Sequence, residues 1–203
     1  MSQNKYVCRH RGEVCREDRE DKNGFRAVTI WFSGLSGAGK STIAHKVEKR
    51  LFDEGAQVYT FDGDNVRQGL CSDLSFSPEG RQENIRRISE MTKLFMDAGI
   101  ICLCAFITPS RATQQQLREG YGKDEFFLVH VDCPVEVCES RDVKGYYELA
   151  RKGKIKDYTG VSGTYESPIE PDLTLKTDIC PLEECVEQAY QFVIKKLARS
   201  EAV

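Results

Sequence analysis

The chain has 203 residues, of which 40% are apolar and 30% charged, with a formal net charge of -3. These values fit one globular domain large enough to bury roughly 70% of its unfolded surface, and they exclude a disordered chain and, with the acidic balance, a nucleic-acid coat. No apolar run approaches the roughly 18 residues of a membrane helix, so no membrane association is expected. The chain start lacks the order of a secretory signal, and Glu13, Glu17, Asp18, Glu20 and Asp21 argue against an organelle transit peptide, so a cytoplasmic location is expected. Nine cysteines occur without a Cys-x-x-Cys pair and read as reduced, structural thiols.

Residues 1–26 are charge-rich and nearly free of apolar periodicity, which predicts a flexible or loosely docked arm ahead of an ordered domain spanning 27–203. From there β-rich apolar runs alternate with amphipathic stretches. Strands are expected at 27–33, 57–62, 100–106 and 126–132, with a short fifth near 172–175. Helices are expected from the end of the first strand to about 54, over 77–98, from Ser110, and from about 181. The helix over 77–98 opens with the cap Ser77 and the first-turn residues Pro78 and Glu79, and it carries Ile85, Ile88, Met91, Phe95 and Ala98 on one face. The last helix places Leu182, Val186, Ala189, Val193 and Leu197 on one side. Strands alternating with helices predict crossover units, hence an α/β fold with three α/β/α layers on a five-stranded, mostly parallel sheet.

Between about 140 and 171 the core signal stops, while Arg141, Lys144, Arg151, Lys152, Lys154 and Lys156 concentrate positive charge. So long a stretch inside a compact domain points to function. It reads as a basic lid over phosphates, with a solvated basic loop as the alternative.

Gly34, Leu35, Ser36, Gly37, Ala38, Gly39, Lys40 and Ser41 spell the pattern G-x-x-x-x-G-K-S between a predicted strand and a predicted helix, and Thr42 follows. This is the context of a P-loop NTPase, in which backbone amides at a helix N-terminus cradle phosphates. ATP is the expected ligand of these residues, with Lys40 on its β- and γ-phosphates and Ser41 on Mg²⁺. The second strand ends in Asp62, followed by Gly63 and Asp64, at the sheet edge where ligands bind in such folds. Phosphoryl transfer needs charge neutralisation, alignment and a group that orients or deprotonates the acceptor hydroxyl. Asp62 is the candidate for that last role and, with Ser41, for holding the metal. Asp64 serves Mg²⁺ through water, holds the acceptor, or caps the next helix.

Arg67, Arg81, Asn84, Arg86 and Arg87 suggest a second anionic ligand, because guanidinium matches phosphate or sulfate oxygens. Arg81 and Asn84 share a helix face, whereas Arg86 and Arg87 point apart, so at least one belongs to the surface. Phe76 is either a core anchor or a platform for stacking a base.

Together these blocks resemble the adenylyl-sulfate kinases, including the kinase half of animal bifunctional synthetases. The resemblance rests on Gly34 to Thr42, Asp62 to Leu70, Phe76 to Arg87, Arg141 to Gly145 and Ile155 to Gly160, in family order. It implies phosphorylation of adenylyl sulfate by ATP with Mg²⁺, giving 3′-phosphoadenylyl sulfate and ADP. It also implies that Arg67, Arg81 and Asn84 hold the acceptor's phosphosulfate, that Phe76 and Tyr158 sandwich its adenine, that Lys144 acts from the lid, and that the protein is a homodimer. Thr108 stands where many members carry a serine, and no covalent role is assigned to it, since in-line transfer needs none. A kinase of another small nucleotide or sugar acid shares the P-loop and lid but not the Asp62 and Phe76 blocks. A guanine-nucleotide switch would need Asn or Thr where Leu175 precedes Lys176, Thr177 and Asp178.

Overall fold

A computed structural model describes residues 8, 10 and 12–198. Its strands are β1 (Thr29–Ser33), β2 (Val58–Asp62), β3 (Ile101–Ala105), β4 (Phe126–Asp132) and β5 (Leu173–Lys176). They form one five-stranded sheet in the order β2-β3-β1-β4-β5, and every pairing is parallel. All carboxyl ends therefore open on one edge. The strand order reverses at β1, which is where open α/β sheets bind ligands.

Alternate residues of the inner strands feed separate cores. Ile30 and Phe32 of β1, Ile101 and Leu103 of β3, and Val129 and Val131 of β4 join one cluster. Trp31, Cys102, Cys104 and Leu128 join the other. The first is closed by α2 (Lys40–Asp53) and α8 (Leu182–Leu197), through Ile43, Val47, Leu51, Val186, Ala189 and Val193. The second is closed by α4 (Pro78–Asp97) and α5 (Arg111–Glu119), through Ile85, Ile88, Met96 and Leu117. Two apolar faces on one sheet, each needing a helical cover, produce the three layers.

Helix α4 starts as its sequence dictates: Ser77 Oγ accepts from Gly80 N at 3.2 Å and Pro78 occupies the first turn. Gly80 is required there, because a Cβ would lie 2.4 Å from Ser75 O.

Four helices arise where periodicity predicted none: α1 (Arg16–Asn23), α3 (Gly63–Val66), α6 (Val135–Arg141) and α7 (Tyr146–Arg151). Helix α1 lies inside the segment expected to be an arm, and polar groups fasten it. Glu20 Oε1 accepts from Ala27 N and from Arg16 Nε, both at 2.8 Å. Arg16 also donates to Ala27 O and to Glu125 Oε1, and Asn23 Nδ2 donates to Gly99 O at 2.9 Å. No apolar stripe announces such a helix. Residues 1–7, 9 and 11 of that segment lie outside the described residues. All nine cysteines are free thiols. No helix of the described residues is long and apolar enough to cross a membrane.

Candidate active site

The loop leaving β1 passes so close to β4 that a Cβ on Gly34 would sit 2.4 Å from Val131 O. Gly37 and Gly39 adopt φ of 79° and 101°, and a Cβ on Gly37 would lie 2.8 Å from Cys138 O. Side chains then hold the consecutive carbonyls. Lys40 Nζ donates to Leu35 O at 2.7 Å, Tyr147 Oη to Ser36 O at 2.9 Å, Arg141 Nη1 to Gly37 O at 3.2 Å, and Thr177 Oγ1 to Ala38 O at 2.8 Å. Turning carbonyls to outside donors lets amides of such a loop face a common anion at the start of α2. Burial lowers the Lys40 pKa to about 8, partly offset by Cys138, Asp62 and Asp64, while Lys144 adds to the lowering.

At the end of β2, the largely buried Asp62 caps α3, its Oδ1 accepting from Asp64 N at 2.9 Å. Capping thus belongs to Asp62, and Asp64 receives a hydrogen bond from Lys144 Nζ. Burial pulls the Lys144 pKa down, but the bond to Asp64 and that residue's charge leave it above its ordinary value.

Phe76 is 63% exposed, so it anchors no core. Arg67 stacks over its ring, 4.2 Å from the centroid, and donates to Leu74 O at 3.0 Å. Arg81 donates through Nε to Phe76 O at 2.8 Å, through Nη1 to Thr159 Oγ1 at 2.7 Å and through Nη2 to Asp157 O at 2.9 Å. Burial lowers the pKa of both guanidinium groups, which nevertheless stay charged. Asn84 is buried, and among the described residues its Oδ1 has no hydrogen-bond partner, which leaves it open to a donor from a ligand or solvent. Tyr158 is buried with its ring edge-on to Tyr147, centroids 5.1 Å apart.

Ser36, Gly37, Gly39, Lys40, Ser41, Thr42, Asp62, Asp64, Arg67, Phe76, Arg81, Asn84, Lys144 and Tyr158 line one cleft of about 580 Å³. Gly34, Leu35 and Ala38 do not. Leu35 and Ala38 turn their side chains into the core, and Gly34 serves the close passage of β1 beside β4. Arg86 pairs with Glu83, Arg87 pairs with Glu83 and Asp73, and neither borders the cleft.

The basic segment does not gather its charge over the cleft. Arg151 pairs with Glu139 and Lys152 with Glu148 at the surface, Arg141 braces the P-loop, and Lys144 reaches the cleft. Tyr147 and Thr177, which hold P-loop carbonyls, escaped the sequence reading because their partners are distant in the chain. Thr108 is buried at φ 47°, its hydroxyl accepting from Trp31 Nε1 at 2.8 Å and its carbonyl from Gln114 Nε2 at 3.0 Å.

The cleft thus pairs a phosphate-binding loop with a strand-end carboxylate and an arginine-aromatic wall, the parts needed to move a phosphoryl group between two bound molecules. Comparison with known proteins agrees. Residues 26–176 match the family model described as adenylylsulphate kinase. An adenylyl-sulfate kinase of Staphylococcus haemolyticus is 47% identical over 97% of this chain and 98% of its own length. One of Thermodesulfovibrio yellowstonii is 49% identical over 93% of this chain and 94% of its own. The solved structure of the Mycobacterium tuberculosis APS kinase CysC in complex with AMPPNP and APS superposes with a TM-score of 0.79 at 39% identity, covering 83% of this chain and 98% of that one.

Proposed function

The chain belongs to the adenylylsulphate kinase family, and we infer from this that it transfers the γ-phosphate of ATP to the 3′-hydroxyl of adenylyl sulfate, giving ADP and 3′-phosphoadenylyl sulfate. The observation that carries the reading is the meeting in one cleft of Lys40, Asp62 and the wall of Arg67, Phe76 and Asn84.

In this reading the P-loop from Gly34 to Thr42 holds ATP, and Lys40 lies against its β- and γ-phosphates. Asp62 orients the acceptor hydroxyl and takes its proton as the oxygen attacks the γ-phosphorus and the bond to ADP breaks. Lys144 offsets charge that builds on the transferring group. Arg67, Arg81 and Asn84 form the acceptor's anionic side, Asp64 sets Lys144, and Phe76 and Tyr158 flank the adenine. Ser41 and Asp62 present hard oxygen donors to the cleft and suit Mg²⁺, which when bound neutralises charge on the ATP phosphates. The resemblance also supports a homodimer.

The test is purified protein with ATP, Mg²⁺ and a panel of acceptors, following ADP release and locating the new phosphate by NMR. Phosphate on the 3′-oxygen of adenylyl sulfate is expected. Activity on a nucleoside monophosphate but not on adenylyl sulfate overturns the reading.

A further inference from the structure

The segment that carries Lys144 begins where α6 stops. The amide of Asp142 closes α6 by donating to Cys138 O at 3.1 Å, and its carbonyl accepts from Gly145 N at 2.9 Å, so residues 142–145 form a turn with Lys144 inside it. Helix α7 starts directly after that turn. Its first amides have no intrahelical partner, and Gly145 at its cap has no side chain to offer. The half-buried carboxylate of Asp142 fills the gap: Oδ1 accepts from Tyr147 N at 3.2 Å and Oδ2 from Glu148 N at 3.1 Å. Two side chains depend on this corner. Lys144 leaves the turn to reach Asp64, and Tyr147 leaves the capped end of α7 to reach Ser36 O at 2.9 Å.

We propose that Asp142 is a positioning residue: its carboxylate caps α7 and thereby sets Lys144 toward the cleft and Tyr147 toward the P-loop. This rests on the reading of the chain as a kinase of adenylyl sulfate. A helix of six residues is too short to hold itself by its own hydrogen bonds, and an anion at its amino end also meets the favourable end of its dipole. The stem of Lys144 is flexible, so its ammonium goes where the backbone of the turn directs it. Asp142 borders the cleft as well, but both of its carboxylate oxygens are engaged by amides of its own segment, which favours placement over contact with a ligand.

The test is a pair of double-mutant cycles, with thermal melting as a control. In the first, Asp142→Ala, Lys144→Met and the pair are compared in turnover of adenylyl sulfate at saturating substrates. Asp142→Ala is expected to lower kcat roughly tenfold, the effect of one lost cap. In the Lys144→Met background it lowers kcat at most about twofold further, because residues that act through one group do not add. In the second cycle, Asp142→Ala and Tyr147→Phe are compared in ATP affinity, where again the losses must not add. Asp142→Asn keeps an oxygen for one amide and remains a good cap, so it returns kcat to within about threefold of wild type with the same Mg²⁺ requirement. Additive losses in either cycle overturn the proposal. An Asn variant as slow as the Ala variant, or one that needs several times more Mg²⁺, makes the carboxylate a ligand and overturns it too. So does a lowered melting temperature with kcat and ATP affinity unchanged, which leaves Asp142 only a structural cap. Should Asp142→Ala not fold, Asp142→Ser, whose hydroxyl reaches at most one amide, replaces it in both cycles under the same requirements. A wild-type protein that binds ATP without phosphorylating adenylyl sulfate refutes the functional reading, and the ATP cycle then decides this inference by itself.

Discussion

Lys144 Nζ donates to the carboxylate of Asp64 across the mouth of the cleft, joining the turn between α6 and α7 to the short helix behind β2. The two side chains are 46% and 53% exposed, so solvent screens the pair and its contribution to stability stays within about 1 kcal/mol. Its value is placement of a cation. Lys144→Met is expected to leave the melting temperature nearly unchanged while lowering turnover roughly a hundredfold, the lower end for loss of a preorganised charge donor. Steady-state kinetics beside a melting curve separates the two, and an unaltered kcat removes Lys144 from the chemistry.

Asp62→Asn keeps an oxygen that can accept from the Asp64 amide, so α3 should still be capped. What it loses is basicity. Turnover is expected to fall at least about a hundredfold, with ATP affinity largely intact when titrated by calorimetry. Near-normal turnover would assign the proton to another group.

Burial holds the Lys40 pKa at about 8, below its ordinary 10.5, so the charged form is disfavoured in the folded protein. The sign follows directly. Between about pH 8 and the ordinary lysine range the unfolded chain binds the proton that the native state lacks, so this group's penalty on stability is full below that window and fades as pH rises through it. In the proposed reading, ATP phosphates beside Lys40 would restore the charged form. Binding of ATP near pH 9 should therefore take up about one proton at this group, an uptake that shrinks as pH falls through about 8. Calorimetry in buffers of different ionisation enthalpy reads this directly, and uptake that does not change with pH contradicts the assignment.

Arg16 holds three partners at once, Glu20, Glu125 and Ala27 O, with its side chain only 18% exposed. Arg16→Ala is expected to cost about 1.5–3 kcal/mol in urea unfolding while leaving kcat unchanged, since α1 contributes nothing to the cleft lining. An unchanged midpoint would mean that α1 is fastened without it.

What was legible in the sequence was local. Contiguous β-rich apolar runs exposed β1 to β4, a period near 3.6 exposed α4 and α8, because each buries apolar side chains of its own, and the P-loop is one contiguous string. Helix α1 was hidden because Arg16, Glu20 and Asn23 hold it by polar contacts to residues up to 109 positions away. The bracing of the P-loop by Arg141, Tyr147 and Thr177 was hidden for the same reason, each acting across more than a hundred residues. Over 140–171 the count of basic residues registers Arg151 and Lys152 but not the Glu139 and Glu148 that pair with them, while Lys144, Tyr147, Ile155 and Tyr158 of the same segment line the cleft.

The four donors on the carbonyls of Leu35, Ser36, Gly37 and Ala38 come from α2, α7, α6 and the residue after β5. The phosphate cradle is therefore only as durable as its weakest supplier, and α7 is six residues long. On warming, fraying of that single turn and a half would release the Ser36 carbonyl while the parallel sheet is still whole. Affinity for nucleotide will then decay at temperatures where circular dichroism still reports a native fold, and thermal inactivation will be an early, reversible local event ahead of global melting.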